Sequence, residues 1–322
     1  MLLLHQEQQH RLHEKLRREL GPAVLAALED PDITEVMLNP DGGLWVESQQ
    51  KGMRDTGRQM PAMQAENLIG TVAAMLGTVV NASAPIVEGE LPLDGNRFEG
   101  ILPPVSTAPV FVIRKRPSAL YTLEDYVRAE ILDAAQAEIL RAAVRARQNL
   151  VIAGGTTSGK TTLANALIAE MVRLGDPAQR IVILEDTREL QCTARNAVQL
   201  HTGDVADLTR LTRVTMRLRP DRIIIGEVRG GEALALLKAW NTGHPGGVTT
   251  IHANSAMAAL MRLDSLIQEA GVPPQPRLVA EAVNLVVFIA RTPEGRRVRE
   301  LATVAGYDPA TGYILAPMTS VP

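Results

Sequence analysis

The sequence predicts an α/β chain in two parts. A small α+β domain over residues 1–116 leads through a helical linker, 117–149, into an α/β domain with a mainly parallel sheet over 150–322. Three observations predict this. A length of 322 residues suits two domains of ordinary size. The apolar period changes from helical to alternating and back along the first third. From Leu150 onward, short apolar runs alternate with helical stretches, as in a sheet buried on both faces.

Each element follows from local pattern. Leu12, Leu16 and Leu20 recur at helical spacing, Gly21-Pro22 ends that segment, and a second short helix covers Ala23 to Glu29. Ile33–Leu38 and Leu44–Glu47 flank Asn39-Pro40-Asp41-Gly42-Gly43, a hairpin signal. Pro61 opens a helix through Leu76, and strand-like runs follow at 86–91, 97–102 and 110–115. In the linker, Ile131, Ala135, Ile139, Leu140 and Val144 keep helical spacing from a start at Pro117. Leu150–Ala153, Ile181–Leu184, Ala197–Leu200, Ile223–Ile225 and Val248–Ile251 are the expected strands of the sheet.

Composition narrows the function classes. Hydrophobic residues at 46% can fill sizeable cores and exclude wholesale disorder. Lys plus Arg total 33 against 36 Asp plus Glu, so a net charge of −3 exerts no global pull toward nucleic acid or acidic lipid. A single cysteine, Cys192, excludes an internal disulfide framework and an all-cysteine zinc site, and fits a reducing compartment. Leu2-Leu3-Leu4 gives way to His5, Gln6 and Glu7, too short for a secretory signal. The uncharged stretch between Glu66 and Glu88 is too polar and broken for the roughly 20 apolar residues of a membrane span. It reads as a buried helix followed by a strand.

The strongest motif is Gly154-Gly155-Thr156-Thr157-Ser158-Gly159-Lys160-Thr161, a full match to G-x-x-x-x-G-K-[ST]. Glycines let successive backbone N–H groups converge on phosphate oxygens, and the helix starting near Thr162 adds the positive end of its dipole. Lys160 is placed to reach the terminal phosphates and the Thr161 hydroxyl to ligate Mg²⁺. A Gly-rich surface loop is the bland alternative, but the four fixed positions coincide by chance in roughly one such chain in a hundred.

A second block, Arg219-Pro220-Asp221-Arg222-Ile223-Ile224-Ile225-Gly226-Glu227-Val228-Arg229, is an apolar strand ending in a carboxylate. Beside a phosphate loop, Glu227 is the candidate general base that orients and deprotonates water. Asp221 is expected to cap or to pair with an arginine. Ile181–Glu185 with Asp186 is another strand ending in acids, for which a plain strand-terminal turn competes. His244 and His252, eight apart without a thiol, make a poor metal site and read either as structural histidines or as sensors facing the phosphates. Arg210, Arg213 and Arg217 fall on one helical face, and the 3% aromatic content argues against a single-strand nucleic-acid channel.

The phosphate loop, Ile183-Leu184-Glu185-Asp186-Thr187, Leu218–Arg229 and Thr242–Ala253 occur in the order of the Walker A, Asp box, Walker B and His box blocks of the secretion or traffic ATPases. The chain resembles that family over nearly its whole length. Gly243-His244-Pro245-Gly246-Gly247, Thr250-Ile251-His252-Ala253-Asn254-Ser255 and Asn39-Pro40-Asp41-Gly42 resemble its conjugation branch. The resemblance implies an N-terminal domain above a RecA-like domain, a homohexameric ring, and ATP with Mg²⁺ between the domains. It makes Glu227 the catalytic glutamate, places Glu185 at Mg²⁺ or its water, and makes His252, with His244 as a second choice, the phosphate sensor. It brings Arg97 and Arg114 to the terminal phosphate, with Arg116 as a near competitor. Gly154 through Thr162 would hold the nucleotide, with Thr161 and Glu185 at the metal. Thr157 departs from the Gly of many members, and the single cysteine departs from the tetracysteine insertion of the secretion and pilus-extension branches.

The function this implies is Mg²⁺-dependent ATP hydrolysis by a hexameric motor powering conjugative type IV secretion. Its partners would be inner-membrane secretion proteins, its place the cytoplasmic face of the bacterial inner membrane, and no sequence-specific nucleic-acid binding is expected. A pilus-retraction motor, a DNA translocase and a nucleotide-gated scaffold with little turnover are the alternatives.

Overall fold

A computed structural model describes residues 2–116, 120–203 and 205–317. The chain divides into two compact units, Met1–Ser118 and Ala119–Pro322. Pro117, where the linker helix was expected to begin, lies outside the described residues.

In the first unit, α1 (Leu2–Glu29) is broken at Gly21, whose φ of 73° only glycine adopts at little cost, followed by Pro22. Then come β1 (Ile33–Leu38), β2 (Gly43–Ser48), β3 (Gly52–Gln59), α2 (Ala62–Met75), β4 (Ile86–Glu90), β5 (Arg97–Ile101) and β6 (Val110–Arg114). They form an antiparallel sheet in the order β3-β2-β1-β6-β5-β4. Leu16, Leu20 and Val24 of α1 and Leu68, Ile69 and Val72 of α2 bury against Val36, Phe98, Phe111 and Ile113 of the sheet. Strand β3, Gly-Met-Arg-Asp-Thr-Gly-Arg-Gln, escapes a reading by alternation because it is a polar, exposed edge.

The second unit contains α3 (Leu123–Arg128), α4 (Ala134–Arg145), β7 (Leu150–Gly154), α5 (Lys160–Leu174), β8 (Ile181–Glu185), β9 (Ala197–His201), α6 (Leu208–Thr215) and β10 (Arg222–Glu227). It continues with α7 (Glu232–Asn241), β11 (Val248–His252), α8 (Ala256–Gln268), α9 (Pro276–Ala282), β12 (Leu285–Thr292), β13 (Gly295–Asp308) and β14 (Gly312–Pro317). The helical stretch expected between the domains falls with this unit. Thr122 and Asp133 each close a capping box at the start of α3 and α4. Leu123, Ile139, Leu140 and Val144 of those helices are buried with Leu150 and Ile152.

The sheet order is β14-β13-β12-β7-β11-β10-β8-β9. From β12 to β9 neighbouring strands are parallel, and β13 and β14 add antiparallel strands at one edge, so the sheet is mixed. Alternation sends side chains to opposite faces. Val151, Ala153, Val182, Ile223 and Ile225 pack beneath α7 and α8, while Leu150, Ile152, Ile183 and Ile224 pack beneath α4 and α5. Burial on both faces accounts for the continuous apolar runs, each fully buried Leu, Ile or Val contributing about 1.5–3 kcal/mol. The parallel register aligns the C-terminal ends of the strands. Gly154 pairs with His252, and Glu185 and Glu227 end the neighbouring strands. In open α/β sheets that edge is where ligands bind.

Candidate functional site

The loop between β7 and α5 is shaped by close approach. A Cβ on Gly154 would collide with the Ile289 carbonyl and the Ser158 hydroxyl, so no larger residue fits there. Gly159, at φ 96°, begins α5 in the left-handed region. Thr157 also takes a left-handed φ, 59°, which costs a residue with a Cβ about 1–2 kcal/mol. The Ser158 hydroxyl is buried and hydrogen-bonds no described group. Gly155, Thr156 and Thr157 are exposed around it. This cradle of turn backbone and helix N-terminus suits a phosphate chain.

Lys160 is only 7% exposed. Its ammonium donates to the carbonyl oxygens of Gly154 at 3.0 Å and Gly155 at 2.9 Å, and lies 3.4 Å from His252 Nδ1. His252 Nε2 stands 2.9 Å from Glu227 Oε1. Arg229 closes the other side of that carboxylate, its Nε and Nη2 donating to Glu227 Oε2 at 3.0 and 2.6 Å. Asp186, just past β8, is 3.8 Å from the same guanidinium. The structure therefore brings Lys160, His252 and Glu227 into one chain of contacts at the mouth of the loop.

Glu185 is buried beside it, and one of its oxygens accepts from the backbone N–H groups of Glu189 and Leu190 at 2.9 and 2.7 Å. Gly226 makes room for it, since a Cβ there would stand 3.2 Å from Glu185 Cγ. Asn165 of α5 holds the same turn through the Glu189 carbonyl and the Gln191 N–H. Among the described residues no group of three His, Cys, Asp or Glu side chains is placed to hold a metal alone. A Thr hydroxyl and a Glu carboxylate, the groups that Thr161 and Glu185 carry, are the kind of oxygen donor a hard cation takes.

The matching family model, type II/IV secretion system protein, spans residues 19–301. The chain belongs to this family. Conjugal transfer protein TrbB of Rhizobium radiobacter is 54% identical over 297 residues, 92% of this chain and 91% of that protein. Type IV secretion system protein PtlH of Bordetella pertussis is 32% identical over 301 residues, 82% and 87% of the two chains. The crystal structure of the ATPase DotB of Legionella pneumophila aligns with a TM-score of 0.64 at 20% identity, covering 87% of this chain and 79% of that one. At that identity the likeness is one of fold.

The other candidate residues separate by position. His244 lies before β11, at the opposite end of the strand from His252, and its Nδ1 is 2.8 Å from the Pro220 carbonyl. At about 3.3 Å per residue, β11 alone keeps it more than 10 Å from the loop, out of contact with it. Asp221 accepts from the Arg180 backbone N–H at 2.7 Å, a capping role with no part in the chemistry. Arg210 and Arg213 are exposed on α6, but that helix ends at Thr215, leaving Arg217 past its cap and off the expected face.

In the first unit, Arg97 of β5 and Arg114 of β6 stand directly opposite one another. Arg114 Nε is 3.6 Å from Glu35, whereas Arg116 lies against Gly95 and pairs with Glu90 at 2.8 Å. Sequence reasoning missed Arg229, although its place two residues after Glu227 is a usable signal, because a carboxylate at a strand end needs a partner.

Proposed function

We propose that this chain is a Mg²⁺-dependent ATPase with a RecA-like motor domain, working as a homohexamer that powers conjugative type IV secretion. One observation carries the reading: Lys160, His252 and Glu227 are linked by contacts of 2.9–3.4 Å at the mouth of a complete phosphate loop. The family and the 54% identity to a conjugal transfer protein support the pathway.

The roles follow from chemistry. Backbone N–H groups of residues 154–162 would bind the phosphates. Lys160, now held by loop carbonyls, would turn its charge to the terminal phosphates. Thr161 and Glu185 would hold Mg²⁺, which when bound neutralises phosphate charge. Glu227 would take a proton from the attacking water, and His252, in contact with both Glu227 and Lys160, would report the state of the terminal phosphate. Arg97 and Arg114, an opposed pair of like charges, would be stabilised by an anion and are the proposed arginines for the terminal phosphate. Among the described residues no helix is long and apolar enough to cross a membrane, so attachment at the inner face of the inner membrane would be through secretion partners.

The test is steady-state ATP hydrolysis across protein concentrations with and without Mg²⁺. Activity that rises with concentration to a plateau, disappears on chelation and falls at least about 10²-fold in Lys160→Ala is the expected result. ATP binding without any turnover would favour a nucleotide-gated scaffold, and activity independent of concentration would remove the ring.

A further inference from the structure

The β12–β13 hairpin carries charge that neither the phosphate loop nor the carboxylate strands account for. Its register sets Arg291 directly opposite Arg296. Opposed residues of an antiparallel pair project from the same face. Arg297, next in the chain, is paired with Glu130 at 3.5 Å. Arg296 has no such counterpart among the described residues. Its Nε instead donates to the Thr157 carbonyl at 3.3 Å. Its Cδ and Nε lie 3.1 and 3.4 Å from where a Cβ on Gly159 would stand. The Arg296 side chain is therefore laid across the phosphate loop itself, with its Nε contact open to solvent. Burial pushes the Tyr126 hydroxyl up, and the positive charge of Arg296 opposes that shift.

The sheet order gives the loop a direction. Strands run β12-β7-β11-β10. Lys160 leans toward His252 of β11, and His252 toward Glu227 of β10. Arg296 approaches from the opposite side of β7, the β12 side. A phosphate chain with its terminal group at Lys160, His252 and Glu227 would have its inner phosphates toward the side Arg296 occupies. A guanidinium fork matches phosphate oxygens.

We infer that Arg296 is a nucleotide-binding residue that contacts the diphosphate common to ADP and ATP from the β12–β13 side of the loop. The inference rests on the nucleotide-binding reading proposed above. The alternative is a purely structural brace for Thr157.

The experiment titrates a fluorescent ADP and a non-hydrolysable fluorescent ATP analogue into the wild type, Lys160→Ala, Arg296→Met and Arg296→Lys. Methionine keeps an unbranched stem over Gly159 and removes the charge. Melting temperature without nucleotide is read in parallel. Arg296→Met is expected to weaken both nucleotides equally, by roughly ten- to a hundredfold, with an unchanged nucleotide-free melting temperature and part of the affinity restored in Arg296→Lys. Unchanged ADP affinity overturns the inference. So does a loss confined to the ATP analogue, which would place the side chain at the terminal phosphate, or a loss matched by a lower nucleotide-free melting temperature. Should Arg296→Met not fold, Arg296→Lys decides: severalfold weaker ADP binding supports the contact and wild-type affinity overturns it. A wild type that binds neither nucleotide, or a Lys160→Ala that binds both as well as wild type, marks failure of the nucleotide reading itself.

Discussion

The two ends of strand β10 carry opposite charges in opposite surroundings. At its start, Arg222 is 3% exposed and donates to Gln179 Oε1 at 2.9 Å, the Gly246 carbonyl at 2.7 Å and the Val144 carbonyl at 3.2 Å. Burial, together with the neighbouring Arg147, pushes its pKa down to about 10, still well above neutrality. At its end, Glu227 is 18% exposed and its partners Arg229 and His252 are about half exposed, at 53% and 49%. The buried cation is fixed by neutral oxygens belonging to three separate segments. The acid is held by two half-exposed charged or polar side chains, Arg229 and His252. The two ends differ in exposure and in the kind of partner that holds them, and the four residues between them keep the two environments apart.

Four substitutions would break or sharpen that contrast, in falling order of effect. Glu227→Gln keeps the shape of the wet end but removes its basicity, and turnover is expected to drop roughly 10²–10⁴-fold while nucleotide binding persists. Single-turnover hydrolysis checks this; near wild-type rates would remove Glu227 as the base. Arg222→Met leaves two carbonyls and an amide oxygen without their donor and should lower stability by about 3–5 kcal/mol, read from the denaturant midpoint. If stability holds, the anchor is elsewhere.

His252→Ala should cut turnover about tenfold with little change in stability, because it removes one contact to Glu227 and one to Lys160. His244→Ala is the complement: about 1 kcal/mol of stability lost with the Pro220 contact, and unchanged turnover per folded molecule. Reversed results for the two histidines would show that the ends of the strand have been assigned the wrong way round.

Much of this was legible in the sequence, for a physical reason. Parallel strands buried on both faces must be continuously apolar, so β7, β8, β10 and β11 announce themselves. The phosphate loop needs glycine at defined steps and is equally visible. Polar β3 and the antiparallel β13 and β14 were not placed, since none follows the apolar-run, helix, apolar-run rhythm; β12, an apolar run after α9 that joins the parallel part of the sheet, keeps that rhythm and was overlooked. The block from Thr242 to Ala253 was read as one unit, yet it runs from the base of the sheet to its mouth. Gly246 and Gly247 serve the base: Asn149 Oδ1 accepts from the Gly246 N–H at 2.7 Å, and a Cβ on Gly247 would strike the Ile223 carbonyl and the Trp240 indole. Only His252 reaches the phosphate loop.

The sequence by itself determined the continuously apolar strands β7, β8, β10 and β11, which loop can cradle phosphate and which carboxylates end apolar runs, because those depend on neighbours along the chain. Tertiary structure alone decided which of two histidines faces that loop, that Arg229 closes on Glu227, that Arg222 is a buried anchor, and that Arg296 lies across Gly159. Each of those rests on register between strands distant in sequence, and register is fixed by packing of the whole sheet rather than by any local pattern.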